Sequence, residues 1–104
     1  MSVIEIIKRN YKNEVIFSDR PLLILFSTND CDVCRALLPI VDEIADENLG
    51  IKVCNINAAV ETDIARSFDV NKLPTLIVFK ARRVTARSVG LVSKDDILKM
   101  LSEK

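Results

Sequence analysis

The sequence predicts an α/β fold built on a mixed β-sheet with helices on both faces. Residues 22–26 and 75–79 read as continuous apolar runs, the pattern of strands covered on both faces. The segment from Cys34 to Glu47 places Leu37, Leu38, Val41, Ile44 and Ala45 at spacings of three and four, which marks an amphipathic helix. Strand and helix patterns alternate as β-α-β-α-β-α-β-β-α. That order requires parallel crossovers first and a hairpin at the end.

Residues 3–8 are rich in β-branched side chains and Asn10 follows as a helix cap. A first strand is expected there, then a short helix over 11–17 with Tyr11, Val15 and Ile16 facing inward. Ser2 with Glu5 three residues later also fits a capping box, which would put a helix first and a strand at 14–17. Local propensity leaves the two open. Ser18-Asp19-Arg20-Pro21 is turn chemistry, and the strand over 22–27 should be the middle of the sheet.

The helix that follows should end near Asn48-Leu49-Gly50, with Arg35, Asp42, Glu43, Asp46 and Glu47 on its solvent face. Pro39 falls inside it, where the missing N–H should bend the axis. Residues 51–57 read as a strand, and Val60, Ile64, Ala65 and Phe68 mark a third helix. A basic turn, Lys80-Ala81-Arg82-Arg83, joins 75–79 to a strand over 84–89. Ser93 with Asp96 resembles a capping box for a last helix carrying Ile97, Leu98 and Leu101.

At 104 residues the chain is expected to be one domain over 1–104. Lys plus Arg and Asp plus Glu number 15 each, so nothing asks for nucleic acid or an anionic membrane as partner. No histidine is present, which removes Cys-His and Ser-His nucleophiles and imidazole metal ligands. Gly50 and Gly90 are the two glycines, too few for a phosphate-cradling loop. The opening segment is too short and too charged for a signal peptide, and no apolar stretch spans a bilayer, so a cytoplasmic location is expected.

Three cysteines do not make a disulfide framework, and in a reducing compartment a close pair is catalytic or metal-binding. Cys31-Asp32-Val33-Cys34 stands where a strand delivers the chain to a helix N-terminus. Exposed N–H groups and the helix dipole favour a thiolate there, so Cys31 is the candidate nucleophile. Cys34, one turn on, is the candidate resolving thiol. Zinc would need four ligands, and Cys54 belongs to an expected core strand, so it is a packing residue. No metal and no bound cofactor are expected.

Over nearly its whole length the chain resembles the thioredoxin family. The matching pieces are Asn10-Tyr11-Lys12-Asn13-Glu14-Val15 before Asp19-Arg20-Pro21, the strand into Cys31-x-x-Cys34, Pro39, Leu73-Pro74-Thr75 and Val89-Gly90. The resemblance favours the strand-first reading of the N-terminus. It implies a thioredoxin fold, a five-stranded sheet in the order 1-3-2-4-5 with the fourth strand antiparallel to its neighbours, flanked by four helices.

It also implies a thiol–disulfide oxidoreductase that reduces protein disulfides and is recycled by a separate reductase of the thioredoxin reductase type. In such proteins the proline at Pro74 is cis and lies beside the sulfurs. Leu73 would then pair its backbone with an extended substrate, and Gly90 would keep the far wall of the groove low. Asp30, Asp32, Val33, Lys72 and Leu91 would rim the contact surface. The chain would act as a monomer. The alternative is a thioredoxin-fold binding module or subunit with little or no turnover.

The chain departs from the family at several positions. Asp30-Cys31-Asp32-Val33-Cys34 replaces the usual Trp-Cys-Gly-Pro-Cys, and two carboxylates beside Cys31 oppose its thiolate. Leu25 and Asn55 stand where the family has a buried Asp and a nearby Lys, and the missing Trp leaves Ser27 in the floor of the motif. The hairpin tip is basic where many relatives have Asn-Gly or Asp-Gly. Arg82, Arg83 and Arg87 read as a solvated edge that discourages strand pairing.

Overall fold

A computed structural model describes residues 3–103. The chain runs β1 (Val3–Ile6), α1 (Lys8–Tyr11) widening into a π-helical turn over Lys12–Ile16, β2 (Leu22–Ser27), α2 (Asp32–Glu47) and β3 (Lys52–Asn57). It continues through α3 (Thr62–Ser67), β4 (Thr75–Lys80), β5 (Arg83–Val89) and α4 (Lys94–Ser102). The strands form one sheet in the order β1-β3-β2-β4-β5. β1, β3 and β2 are parallel, while β4 is antiparallel to both β2 and β5. The expected fold class and strand order are both present.

The unbroken apolarity of β2 has a simple cause. Leu22, Ile24 and Phe26 enter a core layer with Ile56, Ile64, Phe68 and Phe79, while Leu23 and Leu25 enter the opposite layer with Leu37, Val41, Ile44 and Ile97. All six β2 residues are buried. The helical spacing within α2 produces the same result from outside the sheet: its buried residues are Cys34, Leu37, Val41, Ile44 and Ala45. Pro39 lies inside this helix without ending it.

At the N-terminus a strand comes first, and Ser2 of the competing capping box lies outside the described residues. The first helix begins at Lys8, earlier than expected, and β1 stops at Ile6. Asn10 causes this, acting from inside the first turn instead of ahead of it. Its Oδ1 accepts the Ile7 N–H at 2.8 Å and its Nδ2 donates to the Glu5 carbonyl at 3.0 Å. The strand-to-helix corner is thereby fixed.

The third helix is also corrected. Val60 is 68% exposed and precedes α3. Asn57 competes with the helix by accepting the Ala59 N–H on Oδ1 at 3.0 Å and the Val60 and Glu61 N–H groups on its carbonyl, a turn that delays helix formation. Ser93 does cap α4, its Oγ accepting the Asp96 N–H at 3.1 Å. The acidic face of α2 is not purely solvated, because Lys94 Nζ bridges Glu43 and Glu47, ties α4 to α2, and has its pKa raised by those two hydrogen bonds.

The basic hairpin tip is likewise anchored. Arg82 lies 5.5 Å over the Phe17 ring and its Nε donates to the Ile16 carbonyl, while Arg87 donates to the carbonyls of Phe68 and Asp69. The two turn residues, Ala81 and Arg82, have φ of 50° and 64°, the left-handed pair that a two-residue hairpin loop requires. A side chain with Cβ pays about 1–2 kcal/mol there, less for Asn. Ala81→Asn is therefore expected to stabilise the protein by about 1 kcal/mol and raise the thermal midpoint by roughly 4–8 °C. A midpoint unchanged in a thermal melt would mean that the turn carries no strain.

Candidate active site

β2 ends at Ser27, and four residues later Cys31 caps α2 in extended conformation, φ −114° and ψ 109°. Its Sγ accepts the Cys34 N–H at 3.2 Å and its carbonyl takes the Arg35 N–H at 3.1 Å. An amide thus points at the sulfur where negative charge would develop, as expected for a thiolate at a helix start. Cys31 and Cys34 are joined in a disulfide with Cα atoms 5.2 Å apart. The two sulfurs differ in access: Cys31 is partly exposed, whereas Cys34 is 1% exposed.

The opposing wall comes from the other half of the sheet. Phe26 pairs with Thr75, so the chain leaving β2 for the motif and the chain entering β4 meet at one end of the sheet. Leu73–Pro74 is cis, with Leu73 half-buried and Pro74 buried. The Gly90 N–H donates to the Pro74 carbonyl at 2.9 Å, which seats the end of β5 against this segment. Gly90 has φ of +91°, a conformation that residues with Cβ rarely adopt. Val33, Val89 and Leu91 remain exposed, and Thr28, Ala58, Ala59, Arg66 and Leu73 line an adjoining cleft of about 450 Å³.

The expected site residues lie in three segments: Asp30 to Cys34 at the start of α2, Lys72 to Pro74 ahead of β4, and Gly90 and Leu91 just after β5. Asp30, Asp32 and Val33 are exposed on the motif itself. Two further residues were not singled out from the sequence. Thr28 Oγ1 donates to Asp30 Oδ1 at 3.0 Å, and Arg35 pairs with Asp32. The Asp32/Arg35 spacing of three on a helix was a legible signal for the second pair.

A family model described as Thioredoxin matches residues 2–103. The thioredoxin of Pyropia yezoensis is 36% identical over 104 residues, covering 99% of this chain and 97% of that protein. Thioredoxin 1 of Nostoc sp. is 35% identical over 94 residues, covering 89% and 88%. The thioredoxin of Pseudomonas aeruginosa is 29% identical over 100 residues, covering 95% and 93%. The chain belongs to the thioredoxin family. It is accordingly a thiol–disulfide oxidoreductase with protein-disulfide reductase activity, and Cys31–Cys34 is its redox-active disulfide.

The two positions expected to depart from the family, Leu25 and Asn55, are neighbours in the sheet. Leu25 is fully buried in the α2-side core and sits opposite Asn55 in the parallel β2/β3 pair. Asn55 does not face Leu25 alone. Its Oδ1 accepts the Ser27 hydroxyl at 2.7 Å, and its Nδ2 donates to Glu5 Oε1 at 3.0 Å and Oε2 at 3.3 Å. A polar row thus crosses β2, β3 and β1 and ends at an exposed carboxylate. Glu5 had no local signal, since its contact depends on the Glu5/Asn55 register of two strands distant in sequence.

Cys54 lies on the far face of the sheet, fully buried with Ile24, Ile56 and Phe79. Burial pushes its thiol up to about 12, against the lesser opposing pull of Lys52. The reduced native protein is therefore expected to react quickly with a thiol reagent at Cys31, slowly at the buried Cys34, and at Cys54 only on unfolding. The raised pKa has a signed consequence, because between 9.0 and about 12 the folded state holds a proton that the unfolded state has lost. Stability should fall through that window with a limiting slope of about 1.4 kcal/mol per pH unit. Cys54→Ala should lose the slope; an identical alkaline profile in denaturant titrations would contradict the assignment.

Proposed function

We propose that Cys31 is the attacking thiol and Cys34 the resolving thiol of a protein-disulfide reductase. The observation that carries this assignment is the difference in access between the two sulfurs, together with the Cys34 amide aimed at Cys31 Sγ. The Cys31 thiolate attacks one sulfur of a target disulfide, that S–S bond breaks, and one target thiolate leaves. Cys34, after losing its proton, attacks Cys31 Sγ and expels the second target thiolate. The target gains two electrons and two protons, and the Cys31–Cys34 disulfide forms. A separate reductase returns the two electrons.

The substrate segment lies extended across Leu73–Pro74, pairing with the Leu73 backbone, with Gly90 as the low far wall and Asp30, Asp32 and Val33 as the near rim. The cleft beside Leu73 takes the side chain next to the attacked cysteine. The chain works as one monomeric domain in the cytoplasm, where a reducing poise suits both a reductive dithiol and the unpaired Cys54. The test follows the reduction of a disulfide-bonded protein by a small dithiol with and without catalytic amounts of this chain. Marked acceleration is expected, and a rate equal to that of the dithiol alone would refute the proposed activity.

A further inference from the structure

Arg35 follows Cys34, and its side chain turns back across the motif. Nη1 donates to the Asn29 carbonyl, and Nη2 pairs with Asp32 Oδ1. One guanidinium therefore grips the chain two residues before Cys31 and one residue after it. Of the two carboxylates that flank Cys31, Asp30 accepts a neutral hydroxyl from Thr28, and Asp32 is the one matched by a full positive charge.

Helix stability does not explain this placement. A cation in the first turn of a helix opposes the macrodipole, and an ion pair with side chains 56% and 91% exposed contributes little to folding. The sulfur is what the arrangement affects. A bare carboxylate next to Cys31 disfavours its thiolate, and a bound guanidinium offsets that field while bracing the loop that carries the sulfur.

We propose that Arg35 is a positioning residue that sets the thiolate population of Cys31 through its grip on Asp32. This rests on the reading of Cys31 as the attacking thiol.

The experiment titrates the reduced protein by ultraviolet thiolate absorbance and by the pH dependence of iodoacetamide alkylation at Cys31, in wild type, R35Q, R35K, D32N and D32N/R35Q. R35Q should leave about threefold less Cys31 thiolate at neutral pH, about 0.7 kcal/mol by the constant that relates population to free energy. R35K should recover part of the loss and D32N should increase the thiolate. In the D32N background the R35Q change should shrink, and added salt should weaken it. A titration unmoved by R35Q, or a change equally large without Asp32, overturns the proposal. Thiolate titration needs no turnover, so a wild type that titrates as expected yet reduces no substrate would count against the proposed function alone.

Discussion

Cys31→Ser is expected to lose protein-disulfide reduction by roughly three orders of magnitude or more, the scale of removing a nucleophile. Cys34→Ser should lose turnover as completely, but differently. It keeps the accessible sulfur at the helix start and the amide that steadies it, so the first attack proceeds and the mixed disulfide accumulates. Non-reducing electrophoresis separates the two outcomes, with a covalent adduct to a disulfide-bonded substrate from Cys34→Ser and none from Cys31→Ser. An adduct formed equally by both variants would mean that the buried sulfur attacks as well, contrary to its 1% exposure.

Leu25→Asp should destabilise the fold by about 3–5 kcal/mol, because it places a carboxyl in an apolar layer with no charged partner. Leu25 is fully buried among Leu23, Leu37, Val41 and Leu76, and the nearest polar neighbour, Asn55, is already engaged by Ser27 and Glu5. Such a carboxyl has its pKa raised by desolvation, so the folded state binds a proton that the unfolded state has released. The penalty is therefore smallest below the unfolded value of about 4 and grows as pH rises through the folded value. Denaturant titrations near pH 4 and near pH 8 measure the difference. Equal losses at the two pH values would mean that this floor already accommodates an acid.

The catalytic half of the molecule was legible in the sequence because its signals are local. Residues 22–26 announced a central strand, the spacing from Leu37 to Ala45 announced the helix, and Cys31 and Cys34 lie at the junction of the two. Pro74 and Gly90 were readable only through resemblance, since their meeting depends on the Thr75/Val89 pairing and the Gly90–Pro74 bond. Boundaries failed where short polar side chains bonded to nearby backbone. Asn10 pulled the first helix forward and Asn57 pushed the third one back. The Glu5–Asn55–Ser27 row was invisible because three strands from different parts of the chain build it.

β2 holds every one of its six side chains in the core, whereas Asp30, Asp32 and Val33 just beyond its end stand in solvent. Substitutions in the strand are read out as folding defects and substitutions in the motif as changes in chemistry. Asp30, Asp32 and Val33 can therefore be changed one at a time around the sulfurs without disturbing the packed scaffold.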